Sequence, residues 1–251
     1  MSRVHKTAVP ILVALLAAFA VGCGDDDESG PGRSLPQGSE EVELDPAEFT
    51  TEIDNPYWPM TPGSRWVYRE TDTEGSDQKV VVEVTGRTKR IANGIEAAVV
   101  RDTVTERGQP VEITDDWYAQ DSDGNVWYLG EDTAEYEHGN VVSRAGSFEA
   151  GVDGAQPGII MPAEPRPGLE YRQEYYEGEA EDQASIVSVG QEQVRVPAGH
   201  FNDVVMTRDL VPLEPKVHEL KFYARGVGPV MAVAISGGPA GFEELVGYRT
   251  G

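Results

Sequence analysis

From Arg65 to Ser236 the chain keeps one rhythm: short runs rich in Val, Thr, Tyr and Trp, in which apolar and polar residues alternate. Examples are RWVYRET (65–71), EAAVVRDTVTE (96–106), VEITDDWYA (111–119), NVWYLG (125–130), ASIVSV (184–189) and VHELKFYA (217–224). A period of two sends successive side chains to opposite faces of a strand, so one face is buried and the other meets water. Gly, Asn, Asp and Pro fall between the runs and read as turns. Helical periodicity is nearly absent. Asp45 as a cap, Pro46 in the first turn and Glu48 at capping-box spacing predict one or two helical turns, stopped by Pro56 and Pro59. A second helical turn is expected near GFEELVGY (241–248). The pattern predicts an all-β protein with few short helices.

The runs also echo one another. MTPGSRWVYRE (60–70) is matched by PRPGLEYRQEY (165–175), and NGIEAAVVRD (93–102) by AGHFNDVVMTRD (198–209). Two echoes about 105 residues apart argue for duplication of a β-meander. The expected architecture is a duplicated antiparallel β-meander forming a curved sheet, half-barrel or sandwich. It is one β domain over 45–251, with halves at about 55–150 and 158–251.

Residues 1–22 have a basic start (Arg3, His5, Lys6), an apolar run and then small residues, the order of a secretory signal. The single cysteine, Cys23, follows AVG, where a bacterial lipobox places the lipidated residue, so Cys23 is expected to carry the lipid anchor. Residues 23–44, acidic and rich in Gly, Ser and Pro, read as a disordered tether. The expected location is the extracytoplasmic face of a bacterial membrane, at the cell surface or in the periplasm. Net charge is −24, and losing Arg3 and Lys6 with the signal takes it to about −26. That balance argues against nucleic acid as a partner. The membrane, through the anchor, and an apolar small molecule or an envelope protein remain.

Candidate chemistry is sparse. Asp121, Asp123 and Asp132 stand near calcium-loop spacing, but Gly124 falls at the fourth position rather than the sixth and the flanks alternate like strands. A hairpin with Gly124 in a left-handed turn position explains those letters better, with calcium as the lesser alternative and no other cofactor expected. No G-x-S-x-G motif is present. His138, His200 and His218 are scattered without metalloprotease or zinc-finger spacing. A carboxylate-dependent hydrolase stays open among 44 acids, although nothing singles out a pair. Aromatic residues offer more. Trp58, Trp66, Trp117, Trp127 and Tyr171, with Ile160 and Met161 from a Gly/Pro-rich connection, are candidates to line a concave apolar groove. Core packing has the stronger claim on most of them.

NPYWPMTPGSRWVYRE, DWYAQDSDGNVWYLGED, GVDGAQPGIIMPAEPRPGLEYRQEYY and YARGVGPV together resemble an uncharacterised group of bacterial exported lipoproteins with P-G-x-x-W-x-Y and Y-A-x-G-V-G motifs. The resemblance spans most of Asn55 to Val230 and implies a β-rich secreted domain but no activity. In architecture alone the chain is similar to LolA-like half-barrel carriers, which hold an acyl chain inside a curved sheet. Three functions follow as expectations. The first is a non-catalytic binding domain for an apolar or lipid-like ligand. The second is an envelope interaction module without a small ligand. The third is a calcium-binding surface protein or carboxylate-dependent hydrolase.

Overall fold

The computed structural model describes residues 35–236 and 241–251; Cys23 and the expected export signal lie outside them. The helix expected at Asp45 is a single 3-10 turn, Pro46–Glu48, in which the Asp45 carboxylate accepts a hydrogen bond from the backbone N–H of Ala47. Strands follow. The first are β1 (Phe49–Thr50), β2 (Arg65–Asp72), β3 (Asp77–Arg90), β4 (Glu96–Glu106), β5 (Gln109–Asp121) and β6 (Val126–Glu137). Short pieces come next: β7 (Asn140–Ser143), β8 (Phe148–Glu149), β9 (Gln156–Met161), β10 (Glu170–Arg172) and β11 (Glu174–Tyr175). The last are β12 (Gln183–Val196), β13 (Gly199–Leu210), β14 (His218–Ala224), β15 (Gly228–Ser236) and β16 (Gly241–Arg249). The segment 241–248, expected to turn helically, is strand β16, paired with both β15 and β2.

Thirteen strands form one antiparallel sheet in the order β10-β12-β13-β14-β15-β16-β2-β3-β4-β5-β6-β9-β11, nearly closed into a barrel. The sheet therefore curves past the half-barrel. Its two edges, β10 and β11, are consecutive in the chain and separated only by Gln173. At this seam Gly158 of β9 has no side chain for a reason: a Cβ there would sit 2.2 Å from the Gln173 carbonyl oxygen. Arg172 fastens the seam with Nε and Nη2 donating to the Pro157 carbonyl at 3.1 and 2.8 Å. Its Nη1 donates to the carbonyls of Gly38 and Glu40, both at 2.8 Å. Part of the stretch expected as a disordered tether is thus docked on the barrel. Composition misleads here because the contacts come from backbone carbonyls, which every residue supplies.

The two meanders repeat one register. The turn at Thr61–Ser64 places Gly63 at φ 87°, with Gly63 N–H donating to Val84 O (2.9 Å) and Val84 N–H to Ser64 O (3.0 Å). The turn at Arg166–Leu169 places Gly168 at φ 86°, with Gly168 N–H donating to Ile186 O and Ile186 N–H to Leu169 O, both 2.8 Å. Across the strands Trp66 faces Val82, Val82 faces Asp102 and Asp102 faces Thr114. In the second meander Tyr171 faces Ala184, Ala184 faces Asp209 and Asp209 faces Glu219.

One end of the barrel is plugged by residues 53–62, ahead of β2. Asn55, 2% exposed, holds the plug: its N–H donates to Gln120 Oε1 at 2.9 Å, and its Nδ2 to the carbonyls of Gly124 and Pro162 at 3.1 Å each. Gly226 N–H donates to the Pro56 carbonyl at 2.7 Å. Tyr57, Trp58 and Met60 are buried by this arrangement.

Candidate functional site

Strand parity decides what faces the lumen, and each wall changes character along its length. Nearest the plug the inward positions are aromatic or aliphatic: Trp66 and Tyr68 on β2, Val100 on β4, Tyr118 on β5, Tyr223 on β14. Further along the same faces come Glu70, Asp102, Asp116, Lys221 and, on β16 beyond Leu245, Glu243. The result is an aromatic floor under a predominantly acidic upper wall.

A cavity of about 250 Å³ lies where the two layers meet. Trp58 forms its base and packs against Tyr118 and Tyr223, with ring centroids 5.8 and 5.9 Å away. Tyr118 in turn stacks on Tyr128 at 5.0 Å. Trp66 and Tyr68 are held by Trp66 Nε1 donating to Val227 O (2.8 Å) and the Tyr68 hydroxyl to Pro229 O (3.0 Å). Such fixed rings keep the space open, because rotating one inward would break a hydrogen bond or a ring contact. Two polar atoms of the lining are buried without a partner: Trp58 Nε1 and Asp102 Oδ1.

Electrostatics differ around the wall. Lys221 Nζ lies 2.9 Å from Asp209 Oδ2, and the Thr207 hydroxyl donates to the other Asp209 oxygen at 2.7 Å. Burial alone would weaken the Lys221 ammonium, but Asp209, Tyr223 and Glu219 outweigh it and hold its pKa above the ordinary lysine value. Lys221 keeps 33% of its side-chain surface accessible although strands surround it, so solvent reaches into the lumen. Among the described residues Asp102, Asp116 and Glu243 make no ion pair, although the Lys221 charge acts on Glu243. Asp102 is pushed up to about 7 by burial, then by Glu112. Glu243 is pushed up to about 8 by burial, then by Asp102 and Glu70. Asp116 is raised by burial and by Glu131, against the pull of its hydrogen bond to Tyr128. The Tyr128 hydroxyl sits 2.7 Å from Asp116 Oδ1 and 2.8 Å from Glu131 Oε2. One hydroxyl proton cannot serve both carboxylates fully, so protonation of one acid completes the arrangement.

The candidate residues divide by face. Trp58, Trp66 and Ile160 line the cavity. Tyr171, 1% exposed, is on the lumenal face beside Tyr223 and Asp209 but outside the cavity lining. Trp117 points outward, under Lys89, whose Nζ sits 3.8 Å from the ring centroid. Trp127 is also on the far face, edge-on to Phe49 with centroids 6.1 Å apart. Met161 is fully buried on the face opposite to Ile160. The lumenal groups passed over are Asp102, Lys221 and Glu243, and the signal for them was parity: each, like Asp116 and Tyr223, is in phase with the apolar face of its own strand.

The Asp121 segment forms a hairpin, with Gly124 at φ 94° and Gly124 N–H donating to Asp121 O at 3.0 Å. Asp121 Oδ1 accepts from the N–H groups of Asp123 and Asn125, and Oδ2 from Asn125 Nδ2 and Trp127 Nε1, all within 3.0 Å. Its acceptor capacity serves its own turn. Asp132 lies further up β6, against Arg144 at 2.6 Å. Among the described residues no group of three or more His, Cys, Asp or Glu side chains is placed to hold a metal ion.

No known protein family matches the chain, and neither does any curated protein. Two solved structures are similar. One is a protein of Bacteroides fragilis, provisionally described as exported with a YmcC-like fold: 15% identity, TM-score 0.48, covering 77% of this chain and 99% of that one. The other is a protein of Parabacteroides distasonis, provisionally described as a lipoprotein: 12% identity, TM-score 0.41, covering 77% of this chain and 98% of that one. Nothing about ligand or activity follows from likeness at this level.

Proposed function

We propose that this chain is a lipid-anchored, extracytoplasmic binding protein that holds a small, largely apolar ligand inside its barrel, without catalysis. The export signal and Cys23 support the location. The observation that carries the binding reading is the cavity of about 250 Å³ kept open over Trp58, Trp66, Tyr68, Tyr118 and Tyr223. An apolar space of this kind, with a few polar groups converging on it, is the usual form of a small-molecule site, here somewhat below the usual size of about 300–1,000 Å³. A second reading draws on the outer face of β16, where Phe242 and Val246 are 45% and 43% exposed and would suit an envelope protein partner.

The test uses tryptophan fluorescence. Trp117→Phe and Trp127→Phe together leave only the two cavity indoles as reporters. Titrating a small apolar alcohol into this variant of the full chain should change the remaining emission saturably. Ile160→Phe, which fills the cavity, should remove that change. An unsaturable response in both proteins would discard the lumenal reading and leave the β16 face.

A further inference from the structure

We propose that the lumenal ligand carries an ammonium group, held between Asp102 and Asp116 at the place where the second meander holds its own Lys221. The inference rests on the binding reading above and names the chemistry of the ligand's polar end. It comes from laying one meander on the other. The Arg-Asp pair of β4 (Arg101, Asp102) and that of β13 (Arg208, Asp209) occupy matching register positions. Ala98 faces Tyr118 as Val205 faces Tyr223, so these two tyrosines are counterparts. One step along, Val100 faces Asp116 as Thr207 faces Lys221. Asp116 is therefore the counterpart of Lys221, and Asp102 that of Asp209.

The second meander is complete: an aspartate, a lysine at 2.9 Å and a tyrosine beneath. The first has the aspartate and the tyrosine, but a second carboxylate stands where the ammonium belongs. Asp102 Oδ1 is buried with no hydrogen-bond donor, and Trp58, 9% exposed at the base of the same cavity, has an unpartnered indole N–H. Among the described residues Lys221 is the only cation in the lining, and Asp209 already engages it. A carboxylate oxygen buried without a donor is costly, and a ligand ammonium at that point would supply the donor and charge that Asp102 Oδ1 lacks, leaving the Trp58 N–H for an acceptor elsewhere on the ligand. Aromatic rings beneath it suit a cation, through their negative faces, and an apolar body, through their area.

Several groups face this position. They are Glu70 from β2, Glu112 and Asp116 from β5, Glu131 from β6, Glu219 and Lys221 from β14, and Glu243 from β16. Without ligand, Asp102 and Glu243 hold protons to about 7 and about 8. Binding an ammonium drives those protons off, so its affinity rises with pH from 6 to 8.5 while the amine itself stays charged.

The experiment is calorimetric titration of the full chain with three probes of one size: 2-phenylethylammonium, 2-phenylethanol and phenylacetate. At pH 8 the ammonium should bind at least tenfold tighter than the alcohol, with phenylacetate weakest. In buffers of different ionisation enthalpy only the ammonium should release protons. Asp102→Asn should weaken the ammonium at least tenfold and leave the alcohol unchanged. Asp116→Lys, which copies the second meander, should abolish ammonium binding. If that variant does not fold, Asp116→Asn should give the tenfold loss with alcohol binding intact. Equal affinity for ammonium and alcohol overturns the ammonium inference and leaves the apolar site standing. Saturable binding of none of the three overturns both.

Discussion

The two meanders share a register and a turn, yet their lumenal faces end differently. In the second, Asp209 is 6% exposed at its side chain and closes on Lys221, Thr207 and Gln173. In the first, Asp102 and Asp116 have each other and further acids for neighbours. A similar contrast separates adjacent residues of β5. Asp115 faces outward between Arg87 and Arg101, with contacts of 2.8–3.0 Å that hold its pKa below the ordinary value despite burial. Asp116, one residue on and facing inward, is raised by burial. The chain thus supplies cations to Asp115 on its outer surface and to Asp209 in its lumen, and no ion pair to Asp102 and Asp116. A structural core gains nothing from such an omission, since an apolar pair of similar volume is often as stable as a buried ion pair and far better than a broken one. Omission on one side of an open cavity is what the proposed ammonium site requires.

The largest effect is expected from breaking the complete half. Lys221→Met leaves Asp209 buried with only Thr207 and Gln173 as partners. The cost should be about 2–3 kcal/mol at neutral pH, below the value for a fully enclosed pair because Lys221 is one-third exposed. Urea unfolding would measure it; a loss under about 0.5 kcal/mol would mean that the pair is screened by solvent and that the halves do not differ as described. Rebuilding the pair in the incomplete half is the converse. Asp116→Lys should raise stability by about 1 kcal/mol, the worth of one charge-assisted contact in a partly wet site.

The pH dependence reports the unpaired lumenal acids without mutation, Asp102 from the first half and Glu243 from the second. Asp102 and Glu243 bind protons more tightly folded than unfolded, with folded values of about 7 and about 8 against ordinary carboxylate values when unfolded. Between these limits the native state holds more protons. Stability in the absence of ligand is therefore fullest below about pH 4 as far as these two groups are concerned, and is lost as pH rises through 7–8. The urea midpoint should fall across pH 5 to 8.5, and Asp102→Asn should flatten the fall. A midpoint that rises over this range would show that Asp102 and Glu243 are already paired.

Much of this was open to a reading of the sequence by phase, and less to a reading by residue type. Alternation along RWVYRE and EAAVVRD gives the strands and, taken further, puts Glu70 in phase with Trp66 and Tyr68, and Asp102 in phase with Ala98 and Val100. An acid on the apolar face of a strand is the signal of the site. Choosing large side chains instead selects Trp117, Trp127 and Met161, all out of phase with the lumen. Barrel closure was not legible, because it depends on Gly158 of β9 meeting Gln173 from beyond the next turn, a contact that no local pattern encodes. In β16, a register shift between Leu245 and Gly247 interrupts the alternation, and the segment reads as helix.

The finest comparison is between the two copies of one turn. Gly63 and Gly168 have φ of 87° and 86° and equivalent hydrogen bonds into β3 and β12. An alanine at either position must adopt a left-handed conformation that costs about 1–2 kcal/mol. The new methyl meets little in either place: its nearest neighbour at position 63 is the Cα of Gly251 at 3.6 Å, and at position 168 nothing lies within 4 Å. Gly63→Ala and Gly168→Ala should therefore destabilise equally, to within about 0.5 kcal/mol, and add in the double variant because the turns share no partner. Equal costs beside unequal lumenal pairs would show that the repeat is kept where it builds the barrel and departed from where a ligand sits. Unequal costs would mean that the meanders diverge in structure as well, and that the mismatch of Asp116 with Lys221 needs no ligand to explain it.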